Sequence, residues 1–163
     1  MACGEAASQI EDGYCRSCGR KQPGPRDSLT GVDGDGDVAA MTHRGRRRRR
    51  NEDAFAISSS PAGRVMAVVS DGVSTTPDSD LASQQAAEAA LAALRANSDG
   101  DPVEALDHAY DAALSAVSDL ARDSGSPPSC TFLALTAEGH SVNLSSMGDC
   151  RASGSRMRAS PGP

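Results

Sequence analysis

The sequence predicts an α+β fold: a layered β-sandwich, truncated towards its C-terminal side and flanked by antiparallel helices. Three observations predict it. Short apolar runs separated by turn residues fill 38–70, two longer segments with helical periodicity fill 78–120, and strand-like runs return over 130–147. At 163 residues the chain is long enough for one domain with its own core. Aromatic residues make up only 2% of it and Trp is absent, so that core must be built from Ala, Val and Leu. Such a core packs, but it buries less apolar area per residue, which predicts a marginally stable domain with flexible ends.

Residues 1–20 are expected to form a partial zinc-ribbon-like knuckle. Tyr14-Cys15-Arg16-Ser17-Cys18-Gly19 sets two thiols on a tight turn, and Cys3-Gly4 adds a third thiol. A closed structural site has four ligands, and the partner of Cys3 would lie before Met1. Two readings stand: Zn²⁺ held by Cys3, Cys15 and Cys18 with a water or histidine, or a disordered tail with free thiols. Residues 21–37, rich in Pro, Gly and Asp, read as a flexible linker. Within them Asp33-Gly34-Asp35-Gly36-Asp37 imitates the start of an EF-hand loop. That loop needs Gly at its sixth position and Glu at its twelfth, where this chain has Val38 and Arg44, so a solvated turn is expected instead.

Strands are expected at Val38–Thr42, Ala54–Ser58 and Arg64–Ser70, the last two joined by a hairpin loop over Ser58–Gly63. Asp78 or Ser79 is placed to cap a helix through Leu81, Ala86, Ala90 and Leu94, which stops at Asn97–Gly100. Pro102 opens a second helix, whose apolar face runs through Leu106, Ala109, Ala113, Val117 and Leu120. Ser124–Pro128 breaks it. Cys130–Thr136 and Ser141–Met147 form a second hairpin across Ala137–His140. After Ala152 the pattern dissolves into Ser, Gly, Arg and Pro, so 153–163 is expected as a disordered tail and the chain as stopping in mid-domain.

The formal charge of −6 argues against general nucleic-acid binding. No apolar run reaches the roughly 18 residues of a membrane span, and the N-terminus lacks the apolar core of a signal peptide. The expected compartment is the cytoplasm, where five cysteines serve as thiols or metal ligands rather than disulfides. His43, His108 and His140 stand alone in sequence and read as surface residues. Cys130 reads as a thiol inside a strand.

The chemistry concentrates in two pieces. The arginine run Arg46–Arg50 leads into Asn51-Glu52-Asp53, and the apolar run Val65–Val69 ends on Ser70-Asp71-Gly72. On neighbouring strands these place three carboxylates and an arginine at adjacent strand ends. Such carboxylates bind a hard divalent cation, and an arginine beside them grips a phosphate dianion through two parallel hydrogen bonds.

In Gly45, Arg48 and Asn51-Glu52-Asp53, then Asp71-Gly72 with Ala82-Ser83, then Thr131 with Gly148-Asp149-Cys150-Arg151, the chain resembles the N-terminal portion of a PPM-type (type 2C) metal-dependent serine/threonine protein phosphatase of the actinobacterial kind. The match spans roughly 38–152, which becomes the N-terminal part of a phosphatase domain. The resemblance implies that Asp71 bridges two Mn²⁺ or Mg²⁺ ions. Glu52 and Asp53 join or support the cluster, Gly72 offers its carbonyl, and Arg48 grips the substrate phosphate. It implies hydrolysis of phosphoserine and phosphothreonine proteins by a metal-activated water, with a kinase and its substrates as partners. The sequence departs from the family at Val73-Ser74-Thr75, where further glycines are usual, and at Cys150, where Ser is usual. It shows no counterpart of two metal-binding aspartates from the family's C-terminal half. The alternative is therefore a catalytically inactive remnant, and a more remote one is a nucleic-acid-binding module using the zinc knuckle and the arginine run.

Overall fold

The computed structural model describes residues 3–4, 10–34, 37–121 and 126–155. Among these, strands β1 (Ile10–Glu11), β2 (Tyr14–Cys15), β3 (Ser28–Asp33), β4 (Val38–His43), β5 (Asp53–Ser59) and β6 (Val65–Asp71) precede two helices, α1 (Ser79–Ala96) and α2 (Pro102–Ala121). Strands β7 (Phe132–Glu138) and β8 (Ser141–Met147) follow. The four-stranded sheet runs in the order β5-β6-β7-β8 with every pair antiparallel, and β3-β4 forms a separate two-stranded ribbon. The architecture is α+β, as the patterning predicts.

Alternation fixes which face of the sheet meets the helices. Ala54, Met66, Val68, Phe132 and Ala134 point one way and are buried against Ala86, Ala87, Ala90 and Leu94 of α1 and Leu106, Ala109 and Ala113 of α2. Alanine-rich helix faces allow close approach of the backbones, which is how a core almost without aromatics still excludes water. Among the described residues the one aromatic contact is edge-to-face, with the rings of Tyr110 and Phe132 5.8 Å apart at 75°. Asp101 caps α2 by accepting bonds from the amides of Val103 (2.8 Å) and Glu104 (3.1 Å), with Pro102 as the first helical residue. The buried Arg64, just ahead of β6, ties the sheet to the loop between the helices, donating to Glu138 Oε2 of β7 (2.9 Å) and to the Gly100 carbonyl (3.0 Å).

Two expectations need correction. The stretch read as a flexible linker, 21–37, contains β3, fully paired with β4 from Ser28↔His43 to Asp33↔Val38. Its Pro, Gly and Asp residues punctuate the strand rather than preclude one. Gly31 lies under Phe55 and Ile57, where an added Cβ would stand 3.0 Å from the Phe55 ring, and Asp33 accepts a 2.6 Å bond from the Ser59 amide. The ribbon is thus a second layer against the outer face of β5. The second correction concerns the start of α1. Asp78 occupies the cap position in a left-handed conformation (φ 49°) and makes no side-chain cap bond, while the Ser79 hydroxyl turns to Glu52. Residues 35–36 of the EF-hand-like run, 124–125 of the expected helix break and 156–163 of the expected tail lie outside those described. No helix among the described residues is long and apolar enough to cross a membrane.

If β3 packs as a strand, Gly31→Val should drive a branched side chain into Phe55 and Ile57. It should lower stability by about 1–3 kcal/mol in chemical denaturation. A change below about 0.5 kcal/mol, as on a solvated linker, would contradict that packing.

Candidate metal centre and phosphate pocket

The antiparallel register of β5 and β6 sets Asp53 directly opposite Asp71. Two carboxylates in that position repel each other, and such pairs destabilise a sheet unless something positive lies between them. Asp71 records the strain: its pKa is pushed up from 3.8 to about 6. Loss of water around the crowded carboxyl is the first cause, even though the residue as a whole is exposed. The Asp53 carboxylate is the second, and the charges of Asp149 and Glu52 add to it. A cluster of oxygen donors with surplus negative charge, open to solvent, suits a hard divalent cation that keeps part of its water shell. The donor set therefore fits Mn²⁺ or Mg²⁺.

Glu52 is built in more firmly. Its carboxylate accepts a 2.6 Å bond from Ser74 Oγ and a 3.0 Å bond from Ser79 Oγ, and Arg50 Nε stands 3.6 Å away. These donors, Ser74 foremost, hold its pKa below the ordinary value of 4.5. Its backbone carbonyl accepts from the Gly72 amide (3.0 Å) and from Ser83 Oγ (2.6 Å), so the first two sequence motifs are joined through one residue. Gly72 is required for sterics. A Cβ there would come within 2.3 Å of the Ser79 carbonyl oxygen and 2.9 Å of the Glu52 carbonyl oxygen.

The third motif buttresses the second. The Asp71 amide donates to Thr131 Oγ1 (3.0 Å), the Thr131 amide returns a 2.8 Å bond to the Asp71 carbonyl, and Ser70 Oγ donates to the Thr131 carbonyl (2.6 Å). Gly148, at φ 97°, packs against the Thr131 side chain, and Cys150 Sγ lies 3.0 Å from Thr131 Oγ1. The backbone of Asp71 is thereby clamped while its carboxyl faces Asp53.

Arg48, Glu52, Asp53 and Asp71 line one cavity of about 230 Å³ together with Arg50 and Ser74. A second hollow of about 490 Å³ is lined by Arg47, Arg48, Arg49, Arg50, Glu52 and Ser74. Arg50 is spoken for by Asp80 (3.0 Å) and Glu52, whereas the Arg48 guanidinium makes no hydrogen bond or ion pair among the described residues. The side chains of Arg46, Arg47 and Arg49 likewise have no such partner, and of these four Arg48 is the one that lines the cavity with Asp53 and Asp71. The buried Asn51 orients this corner, donating to the Arg26 carbonyl (2.9 Å) and exchanging hydrogen bonds with Thr42, while Arg26 Nη1 donates to the Asp80 carbonyl at the start of α1 (2.8 Å).

Of the residues singled out from sequence, Arg48, Glu52, Asp53 and Asp71 come together, and Gly72 supports them from behind. Cys3, Cys15 and Cys18 form a cluster of their own and do not line this cavity. Sequence reasoning assigned no part in the site to Arg50, Ser74, Ser79, Thr131 or Asp149: Ser79 was expected as a helix cap, and Thr131 and Asp149 only carried the resemblance. Asp149 had a detectable signal, since it closes an apolar strand with a Gly-Asp pair much as Asp71-Gly72 does. The hydroxyls had none, because a serine three or eight residues past an Asp-Gly is unremarkable until the chain folds.

A family model described as Protein phosphatase 2C matches residues 35–158. Among solved structures, the chain is similar to a Stage II Sporulation E family protein from Thermanaerovibrio acidaminovorans, with 26% identity and a TM-score of 0.49. That similarity covers 60% of this chain and 46% of the other, so this chain spans less than half of that protein. No curated protein matches it.

The raised pKa of Asp71 favours folding while the carboxyl is protonated. That contribution is complete below about pH 4 and lost as pH rises through about 6. Cation-free protein should therefore lose stability across this window, whereas Glu52, held below 4.5, acts in the opposite sense only at lower pH. Asp71→Asn should flatten the loss and stabilise the cation-free chain at pH 7. The full shift corresponds to about 3 kcal/mol, which solvent screening at this exposed site reduces to about 1 kcal/mol. Mn²⁺ should raise the melting temperature of the wild type and leave the variant nearly unmoved. Thermal melts from pH 4 to 8 check both, and a pH-independent wild type would contradict the repulsion. Separately, Gly72→Ala should cost about 2–4 kcal/mol, because backbone rather than a flexible side chain occupies the space.

Proposed function

The chain belongs to the protein phosphatase 2C family, and we propose that it carries the N-terminal part of the catalytic domain of a metal-dependent phosphoprotein phosphatase acting on phosphoserine and phosphothreonine. The observation that carries this reading is the Asp53–Asp71 pair, which faces the same cavity as the unpaired Arg48. Cation-binding oxygens and a free guanidinium side by side are what hydrolysis of a phosphate monoester dianion requires.

The residues divide the work. Asp53 and Asp71 would hold the cation, and Glu52 would support them from a position fixed by Ser74, Ser79 and Arg50. Gly72 sets the turn that lets Glu52 and Asp71 approach, and its carbonyl is proposed as a further ligand. Mn²⁺ or Mg²⁺ bound there would supply an activated water and neutralise charge on the phosphoryl oxygens. Arg48 orients the phosphate so that phosphorus faces the carboxylates, with the serine or threonine oxygen leaving on the far side. The arginine-lined hollow beyond it accommodates the anionic surroundings of a phosphorylated segment. Phosphoproteins are the proposed substrates, with a kinase that makes them as the natural counterpart and the cytoplasm as the compartment.

The test is Mn²⁺-dependent release of phosphate from a phosphothreonine peptide. Asp71→Asn should abolish turnover, and Arg48→Ala should raise KM about tenfold or more through loss of a charge-assisted contact. Turnover that persists without divalent cation, or in Asp71→Asn, would overturn the assignment. Binding of Mn²⁺ and phosphopeptide without turnover would instead identify the chain as an inactive member of the family.

A further inference from the structure

We propose that Cys3, Cys15 and Cys18 bind one Zn²⁺ ion through three thiolates, independent of the carboxylate centre. The Sγ atoms all lie within 4.8 Å of one another, on two segments separated by eleven residues of chain. Tetrahedral thiolate coordination at a Zn–S distance of about 2.3 Å puts sulfurs about 3.8 Å apart, so the three need to move only slightly to close on one ion. None of them is in a disulfide.

The stronger argument concerns what holds this part of the chain together. Among described residues 10–25, only Cys15 is buried, and Ile10 and Gln22 are half-buried. A segment with no apolar core does not fold by burial, and small modules of that kind depend on metal or disulfides. Yet the segment is organised by specific backbone geometry. Asp12-Gly13 turns β1 into β2 with both residues at positive φ (51° and 78°), as a two-residue hairpin demands. The Cys15 amide donates to the Arg20 carbonyl (2.9 Å), and the Gly19 amide donates back to the Cys15 carbonyl (2.8 Å) with Gly19 at φ 66°. This second turn curls Cys18 back beside Cys15. The Cys3 amide donates to Gln22 Oε1 (3.3 Å) and the Gln22 amide to the Gly13 carbonyl (2.7 Å), which brings the third thiol to the same point. Together these bonds accompany the convergence of the three sulfurs while burying almost no apolar surface.

The donor chemistry selects the ion. Three soft thiolates prefer zinc over the Mn²⁺ or Mg²⁺ suited to the carboxylates, so the two centres would load independently. Binding converts the thiols to thiolates and releases their protons to solvent, with no redox change. No fourth His, Cys or carboxylate joins the cluster among the described residues, so the fourth ligand is water, another small ligand or a group outside the described residues.

The test uses the full chain loaded with Co²⁺ as a spectroscopic probe, together with zinc analysis after exhaustive dialysis. One zinc per chain is expected, and Co²⁺ should give the near-ultraviolet thiolate charge-transfer absorption that carboxylates do not produce. That absorption should survive Asp71→Asn, because the acidic centre is separate. It should fall to below about a tenth in Cys15→Ser and in Cys18→Ser, the latter at an exposed position where folding is not at risk. X-ray absorption at the zinc edge should count three sulfurs and one lighter atom. Zinc content unchanged in Cys18→Ser would overturn the proposal. So would Co²⁺ binding without thiolate absorption, or a thiol titration showing Cys15 and Cys18 joined as a disulfide in freshly purified protein.

Discussion

The structure turns on one unfavourable contact, the facing of Asp53 and Asp71 across β5 and β6. A sheet has no reason of its own to oppose like charges at the end of a strand pair, and each acid would be better solvated apart. The register is nevertheless forced, because a slip by one residue would turn Ala54, Met66 and Val68 out of the core and bring Phe55 and Val69 in. Packing against α1 and α2 thus enforces an electrostatic cost, and the site exists because the hydrophobic pattern outweighs it. Strain of this kind, held in place by the surrounding fold, is a familiar mark of a place where something binds.

Much of this was legible before folding. The apolar run Val65–Val69 marks β6, the spacing of Ala82, Ala86, Ala90 and Leu94 gives the buried face of α1, and the acids at 52, 53 and 71 stand where those patterns stop. Period and punctuation are local properties, and they are printed in the chain. β3 was not legible because its residues alternate only weakly: Leu29 and Val32 are the only large apolar ones in Ser28–Asp33, and Gly31 sits at its centre. Its stability comes from pairing with β4 and from the Phe55 ring above Gly31, both of which are tertiary facts. The cap of α1 failed for a related reason. Ser79 has the right chemistry for a cap, but Glu52, 27 residues earlier, offers its hydroxyl a charged partner.

The arginine run shows the same limit. Five consecutive arginines look equivalent in sequence, yet the fold assigns them different fates. Arg50 is held by Asp80 and Glu52, while Arg48 keeps an unpaired guanidinium over the acids. The difference comes from Asp80 at the start of α1, whose carbonyl also receives Arg26 from the stretch expected to be a linker. That stretch is a strut between the N-terminal region, the arginine loop and the first helix.

The clamp between Asp71 and Thr131 spans 60 positions of sequence, and both helices lie between its ends. As the chain leaves a ribosome, β5 and β6 emerge long before β7, and through that interval the acids of the future centre hang on a two-stranded hairpin that is marginal by itself. Closing so large a loop is slow, because its entropy is lost before any long-range contact is gained. The paired acids at the end of β5 and β6 are thus clamped into place only once β7 has been made and Thr131 can reach Asp71.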